Sequence, residues 1–282
     1  MGRDHRVDDP APDVAADTVK LAHRLAVVSG ASSGIGEATA RALAQRGASV
    51  ALLARSSDRL VSIASEISAA GGDAHAYPVD LSDGVAAQAI AAQIVRELGV
   101  PDILVNNAGA GRWLHVEETE PAEAVAMMAL PYFAAFFLTS AFLPGMLARR
   151  SGRIVNVGSP AAFAPWPGAT GYAAARWALR GLTQALRADL HGTGVGVTEV
   201  TAGEVTSSYW DNNPGTAVRM PAIGKIFPKL APQQVADAIV RGLERNSANV
   251  VVPFALRVVL ALHQIWPWPV QRLMISTGHR RA

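Results

Sequence analysis

The sequence predicts an α/β protein built on a single doubly wound parallel sheet with helices on both faces. Three observations carry this. Short aliphatic runs recur along the chain, each followed by a longer segment whose apolar positions have helical spacing. A glycine-rich turn joins the first such pair, where a strand hands over to a helix. The alternation then continues from about residue 22 to residue 253 without a change of composition class, which argues for one layered domain rather than two.

Leu25 to Ser29 is the first strand, and Gly30-Ala-Ser-Ser-Gly34-Ile-Gly36 leads into a helix through Ala42 and Leu43. Glycines at such a turn let the backbone approach a pyrophosphate, whose charge is favoured by the free N–H groups and dipole of the helix start. A dinucleotide site is expected there, although the spacing is GxxxGxG rather than GxGxxG. Residues 48–54 form the second strand and Arg55 follows it. An acid near this strand end would bond a ribose 2′-hydroxyl, whereas an arginine accommodates a 2′-phosphate, so NADP is favoured over NAD.

A helix over residues 58–70 ends at Gly71-Gly72, and residues 74–79 make the third strand. Asp80, followed by Leu81, either caps the turn before the next helix, residues 84–98, or accepts a bond from an adenine amino group. Residues 103–105 are the fourth strand, ending at the polar turn Asn106-Asn107-Ala108-Gly109, where strand C-termini meet a cofactor. A fifth strand over 154–157, a long helix over 171–190, a sixth strand over 195–200, a helix over 232–244 and a last strand over 250–252 complete the pattern.

Chemistry concentrates between Ser159 and Arg176. Tyr172 and Arg176 are four apart at a helix start and so share one helical face. An obligate cation beside a phenol stabilises the phenolate, which makes the pair a candidate proton donor and acceptor. Ser159, just past the fifth strand, carries a hydroxyl suited to holding a substrate oxygen.

Composition narrows the partners. The 282 residues are half apolar and contain no cysteine, which excludes disulfides and thiolate metal sites; a cytoplasmic location is the default. Twenty-five basic residues face 23 acidic ones without a run of five like charges, so nucleic acid is not an expected partner and no metal is. Residues 1–21 are mostly polar, hold Pro10 and Pro12, and read as a loose tail. Residues 124–148 are uncharged and long enough to count as a membrane-span candidate. Pro131 and Pro144 lie inside them and strands flank them, so a buried helix over the sheet is expected. With the Tyr172 helix it is too apolar to be mostly solvated, and a homodimer or homotetramer is expected.

Gly30 to Gly36, Asn106 to Gly109, Ser159 and Tyr172, in this order and at these spacings, resemble the short-chain dehydrogenase/reductase family over roughly residues 22 to 253. The resemblance implies a Rossmann fold, a nicotinamide cofactor, and hydride transfer between an alcohol and a carbonyl. It makes Tyr172 the general acid/base and Ser159 the group that orients the substrate oxygen. The cofactor contacts it implies are Gly30, Ser32, Ser33 and Ile35 in the turn, Arg55, Asp80 and Leu81, Asn107, Ala108 and Gly109, Tyr172 and Arg176, then Val205 and Ser207.

Three positions depart from the family. Its lysine, four after the tyrosine, is Arg176, which supplies charge and bonds but does not give up a proton. Its asparagine before the fifth strand aligns with Pro131, and its Pro-Gly after the sixth strand is Ala202-Gly203. Residues 204–231, with Tyr209, Trp210, Met220, Ile223 and Phe227, read as a lid over a hydrophobic cavity. Residues 254–282 form an apolar extension holding Trp266 and Trp268 near Arg257, Arg272, Arg280 and Arg281; packing over the pocket or on a second subunit is its expected fate, with peripheral membrane contact as the alternative. The function read is an NADP-dependent oxidoreductase for a lipophilic ketone, aldehyde or alcohol. The alternative, motivated by positions 131 and 176, is a nucleotide-binding redox sensor or scaffold of the same fold.

Overall fold

The computed structural model describes residues 19–279, so most of the expected N-terminal tail, and Arg280 and Arg281, lie outside the described residues. The chain alternates β1 (Leu25–Ser29), α1 (Gly34–Gln45), β2 (Ser49–Ala54), α2 (Ser57–Ala69), β3 (Asp73–Pro78), α3 (Gly84–Glu97) and β4 (Ile103–Asn106). There follow α4 (Pro121–Met128), α5 (Ala134–Ala148), β5 (Gly152–Gly158), α6 (Thr170–Asp189), β6 (Val195–Ala202), α7 (Tyr209–Asn212), α8 (Pro232–Glu244), β7 (Asn249–Val252), α9 (Phe254–Ile265) and α10 (Pro267–Thr277). Each expected strand and long helix is present, with ends shifted by one or two residues.

The seven strands run β3-β2-β1-β4-β5-β6-β7, and all neighbours are parallel. This is the Rossmann arrangement, and the order reverses between β1 and β4. A crevice opens at that switch point beyond the strands' C-terminal ends, where Gly30 and Asn107 follow their strands.

Side chains alternate across the strands, and the two faces bury separate cores. Val28, Leu52, Val105 and Val155 pack with Leu43 and Ile239 on the face covered by α1 and α8. On the other face Val27, Leu53, Leu104 and Ile154 meet Leu138, Phe142 and Met146 of α5. The uncharged stretch therefore covers the sheet through α5: Ala134, Leu138, Phe142 and Met146, four residues apart, are all fully or almost fully buried, whereas residues 124–126 of α4 are exposed, and each large side chain of α5 contributes ~1.5–3 kcal/mol by burial. Pro131 interrupts the stretch, and the interruption takes the form of a π-helical turn over Ala129–Phe133, because proline has no N–H to give to the preceding turn. Tyr132 and Phe133 at the end of this turn cluster with Phe136 just after it, with Phe133 and Phe136 exposed.

One polar thread crosses the second core. Asn106 Nδ2 donates to Asn156 Oδ1 at 2.9 Å, Asn156 Nδ2 donates to Thr183 Oγ1 at 2.9 Å, and the Thr183 hydroxyl donates to Leu179 O at 2.8 Å. It ties β4 to β5 and β5 to α6.

Candidate active site

Glycines shape the first wall of the crevice. Gly30 and Gly34 have φ of +66° and +59°, values an L side chain rarely adopts, and a Cβ on Gly36 would collide with the Gly30 carbonyl. Ser33 precedes α1 without a side-chain capping bond, which leaves first-turn N–H groups of that helix for an anion. The Ser29 hydroxyl accepts from the N–H of Asn107 at 2.9 Å and of Ala108 at 3.1 Å, and Asn107 Nδ2 donates to Ser29 O at 3.1 Å, locking the turn after β4 against the end of β1.

Arg55 follows β2 directly and is exposed. Asp80 Oδ1 accepts from the Ser82 N–H at 3.0 Å and the Ser82 hydroxyl at 2.7 Å. Those bonds hold its carboxyl below the ordinary range, and the Arg55 charge acts in the same direction. Asp80 thus closes the turn, while the cap of α3 is Asp83, which accepts from Val85 N and Ala86 N.

Ser159, Tyr172 and Arg176 converge from β5 and α6. Ser159 is buried and its Oγ accepts from Ala161 N at 3.2 Å, which fixes the side chain at the strand end. Tyr172 and Arg176, one helical turn apart, are both about nine-tenths buried, and the guanidinium carbon lies 5.0 Å from the Tyr172 ring centroid. Arg176 Nη1 donates to Val157 O at 3.2 Å. Its Nη2 reaches across to the β4 turn, where a Cβ added to Gly109 would lie 2.7 Å from it. The arginine therefore bridges α6, the end of β5 and the turn after β4, a reach that sequence spacing does not show.

Beyond Tyr172 the site becomes aromatic. Trp113 packs edge-on to Trp166 at 4.9 Å between ring centroids, and lies 5.6 Å from Tyr172 and 5.7 Å from Trp210. Segment 209–216 is stitched to the β4 loop: the Tyr209 hydroxyl donates to Gly111 O at 2.6 Å, Gly111 N donates to Asn213 Oδ1 at 3.1 Å, and Trp113 N donates to Thr216 Oγ1 at 3.3 Å. Burial, reinforced by the neighbouring Tyr172, pushes the Tyr209 phenol well above its usual range, so it stays a neutral donor. Farther along, Arg219 Nη1 and Nη2 clamp the two Glu118 oxygens at 2.6 and 2.9 Å.

Gly30 and Gly34, Arg55, Asp80, Ser159, Tyr172 and Arg176 border one cavity of about 1250 Å³ together with the aromatic residues Trp113, Trp166, Tyr209 and Trp210. Every candidate catalytic and cofactor residue identified from the sequence lines it, including Leu81, Val205 and Ser207. So do Tyr209, Trp210, Met220, Ile223 and Phe227. A dinucleotide suits the residues of the first wall: positive-φ glycines, uncapped helix N–H groups and an exposed arginine beside β2. Pro131 is buried and lies off the cavity, whereas its neighbour Leu130 lines it. Trp113 and Trp166 were not among the residues expected from the sequence, and the inner faces of α9 and α10 contribute Leu256, Leu260 and Met274 to the lining. A tryptophan four residues past Gly109 was the available signal for the first.

Residues 24–216 match the family model of short chain dehydrogenases. The chain is similar to a short chain dehydrogenase from Pseudocercospora fijiensis, with 38% identity over 77% of this chain and 72% of that one. It is 32% identical to the ketoacyl reductase HetN of a Nostoc species, over 90% of this chain and 88% of that one. Among solved structures it resembles the NADPH-bound short chain oxidoreductase from Pseudomonas aeruginosa described as containing an atypical catalytic center, with a TM-score of 0.72 and 32% identity over 81% of this chain and 95% of that one.

Proposed function

The chain belongs to the short-chain dehydrogenase/reductase family, an NAD(P)-dependent enzyme family, and from that premise we propose that it interconverts a lipophilic ketone or aldehyde and its alcohol with NADP as the cofactor. One observation carries this reading: the Ser159, Tyr172 and Arg176 side chains share a single cavity with the glycine turn and Arg55, and with an apolar aromatic chamber. Nucleotide recognition and a carbonyl-sized apolar chamber meet at one phenol.

When bound, the nicotinamide supplies or takes up the hydride. Ser159, its Oγ anchored on Ala161 N, donates its proton to the substrate oxygen and positions it. Tyr172 gives that oxygen a proton in reduction and removes one in oxidation. Arg176 places its guanidinium carbon 5.0 Å from the centroid of the phenol ring, and it cannot relay the proton onward. Tyr172 is therefore reprotonated from the water side of the cavity. Arg55, exposed at the end of β2, is the 2′-phosphate partner, and the NADPH-bound P. aeruginosa relative supports that assignment. The ketoacyl reductase relative and the tryptophan-rich lining support an apolar carbonyl substrate.

Tyr172→Phe tests the reading. Turnover of NADPH with a carbonyl should fall ~10²–10⁴-fold, the ordinary contribution of a general acid, while NADPH affinity stays within about threefold of the parent. Turnover that survives this change removes Tyr172 from the reaction.

A further inference from the structure

The C-terminal helices have two apolar faces, and the cavity explains only one. Leu256 and Leu260 of α9 point inward and are buried. On the opposite side Phe254, Val258, Leu262 and Ile265 repeat at helical spacing with 74%, 45%, 56% and 83% exposure. Trp266 and Trp268 extend that stripe at 70% and 63% exposure. A contiguous exposed apolar surface of this kind marks an interaction site.

Two observations identify its partner. The first is charge: from Arg245 to the end of the chain there is no Asp or Glu, while Arg257, Arg272, Arg280 and Arg281 are all present. Arg257 and Arg272 are exposed, and the Arg272 guanidinium lies 5.4 Å from the Trp268 ring centroid, a stem-on-aromatic arrangement suited to the headgroup level of a bilayer. The second is continuity with the cavity. Leu262, Leu273 and Ile226 line the cavity and are also 56%, 42% and 72% exposed, so the cavity has an exposed apolar rim that shares Leu262 with the stripe. At twelve residues α9 is about 18 Å long, too short to cross a hydrocarbon core of roughly 30 Å.

We propose that the outer face of α9 and α10 docks on the surface of an anionic phospholipid bilayer, and that the lipophilic substrate enters the cavity from that bilayer past Leu262, Leu273 and Ile226. Docking stands on the surface alone; the route of the substrate rests on the function proposed above.

The test is co-sedimentation of the full-length protein with vesicles of phosphatidylcholine, or of equimolar phosphatidylcholine and phosphatidylglycerol. Binding to the anionic vesicles should be at least about tenfold tighter, as two arginines at a charged surface supply, and should weaken as salt is raised. Absent binding, or equal binding to both vesicles, overturns the proposal, and this arm needs no variant. The double change Ile265→Glu and Trp268→Glu, at residues outside the cavity lining, should cut vesicle binding at least about tenfold. It should leave NADPH oxidation with a small water-soluble ketone unchanged. Sedimentation velocity without lipid covers the competing occupant: if the double variant turns an oligomer into a monomer and the parent ignores vesicles, the stripe is a subunit contact and the proposal falls. Vesicle binding without turnover on any carbonyl would refute the enzymatic reading and leave docking standing; turnover on soluble ketones without vesicle binding would do the reverse.

Discussion

Replacing Gly109 by alanine should disable the site through Arg176 rather than through the backbone. Gly109 does not have a positive φ, so alanine is conformationally allowed there. The new methyl would lie 2.7 Å from Arg176 Nη2 and 3.4 Å from both Cζ and Nη1. Ordinary contact requires a retreat of about 0.8 Å by the guanidinium, since side-chain contacts settle near 3.5 Å or beyond. Its bond to Val157 O, at 3.2 Å, has little room to stretch. A hydrogen bond to a charged group is worth ~1.5–3 kcal/mol, so kcat/KM should fall roughly 10- to 150-fold.

Arg176→Lys alone should also lower kcat, because Val157 O loses its donor and an ammonium does not reproduce a planar fork. With lysine at 176 the Nη2 atom is gone, and with it the methyl's closest contact. Gly109→Ala should then cost less than ~0.5 kcal/mol, the usual limit of additivity error. The four proteins of this double-mutant cycle are to be compared by NADPH-dependent carbonyl reduction and by thermal unfolding. A Gly109→Ala penalty equal in the arginine and lysine backgrounds would refute the reasoning, since the two residues would then act independently.

Two further outcomes follow from the cofactor wall and the 209–227 segment. Arg55→Ala should erase a preference for NADPH over NADH of about tenfold or more, the value of one charge-assisted bond to phosphate; equal affinities in the unmodified protein, read by fluorescence titration, would sink the NADP assignment. The Glu118 carboxyl is held down to about 2 by its bonds to Arg219 and to the His115 N–H. Because the folded value is depressed, the Arg219 clamp is fully present above the unfolded value near 4.5 and is lost as pH falls from there toward 2. Protection of residues 209–227 against hydrogen exchange, taken relative to the intrinsic rate at each pH, should therefore fall across that window and stay constant between pH 7 and 5. Glu118→Gln should abolish the dependence, and a transition near neutrality would rule it out.

What the chain discloses before folding divides by range. The β1–turn–α1 unit is local, and the aliphatic run, the glycines and the helix spacing lie within twenty residues, so its place and its chemistry are readable directly. Tyr172 and Arg176 share a helix face for the same reason. The Arg176 contact with Gly109 crosses between separate βα units, and only the sheet order puts the β4 turn beside α6. Trp113 and Trp166 belong to loops far apart in the chain that meet beside the bond from the Thr170 N–H to Leu114 O. Pro131 announces a bend, but whether the helix answers with a break or a π-helical turn depends on Leu138 and Phe142 staying seated on the sheet.

The polar thread Asn106–Asn156–Thr183 has a mechanical consequence. Leucines and valines alone allow a helix to ratchet along a sheet from one ridge to the next at small cost, because apolar contacts are interchangeable. Directional amide and hydroxyl bonds are not: a slip of α6 along β5 would break the bond from Asn156 Nδ2 to Thr183 Oγ1 and leave that amide donor unpaired in a dry interior, at ~1–3 kcal/mol. Thr183 is eleven residues from Tyr172, or about 16 Å along the axis. The thread thus works as a detent, indexing the helix at its far end so that the phenol stops at one height above the sheet while the segment around Tyr209 is free to be remodelled for a different substrate.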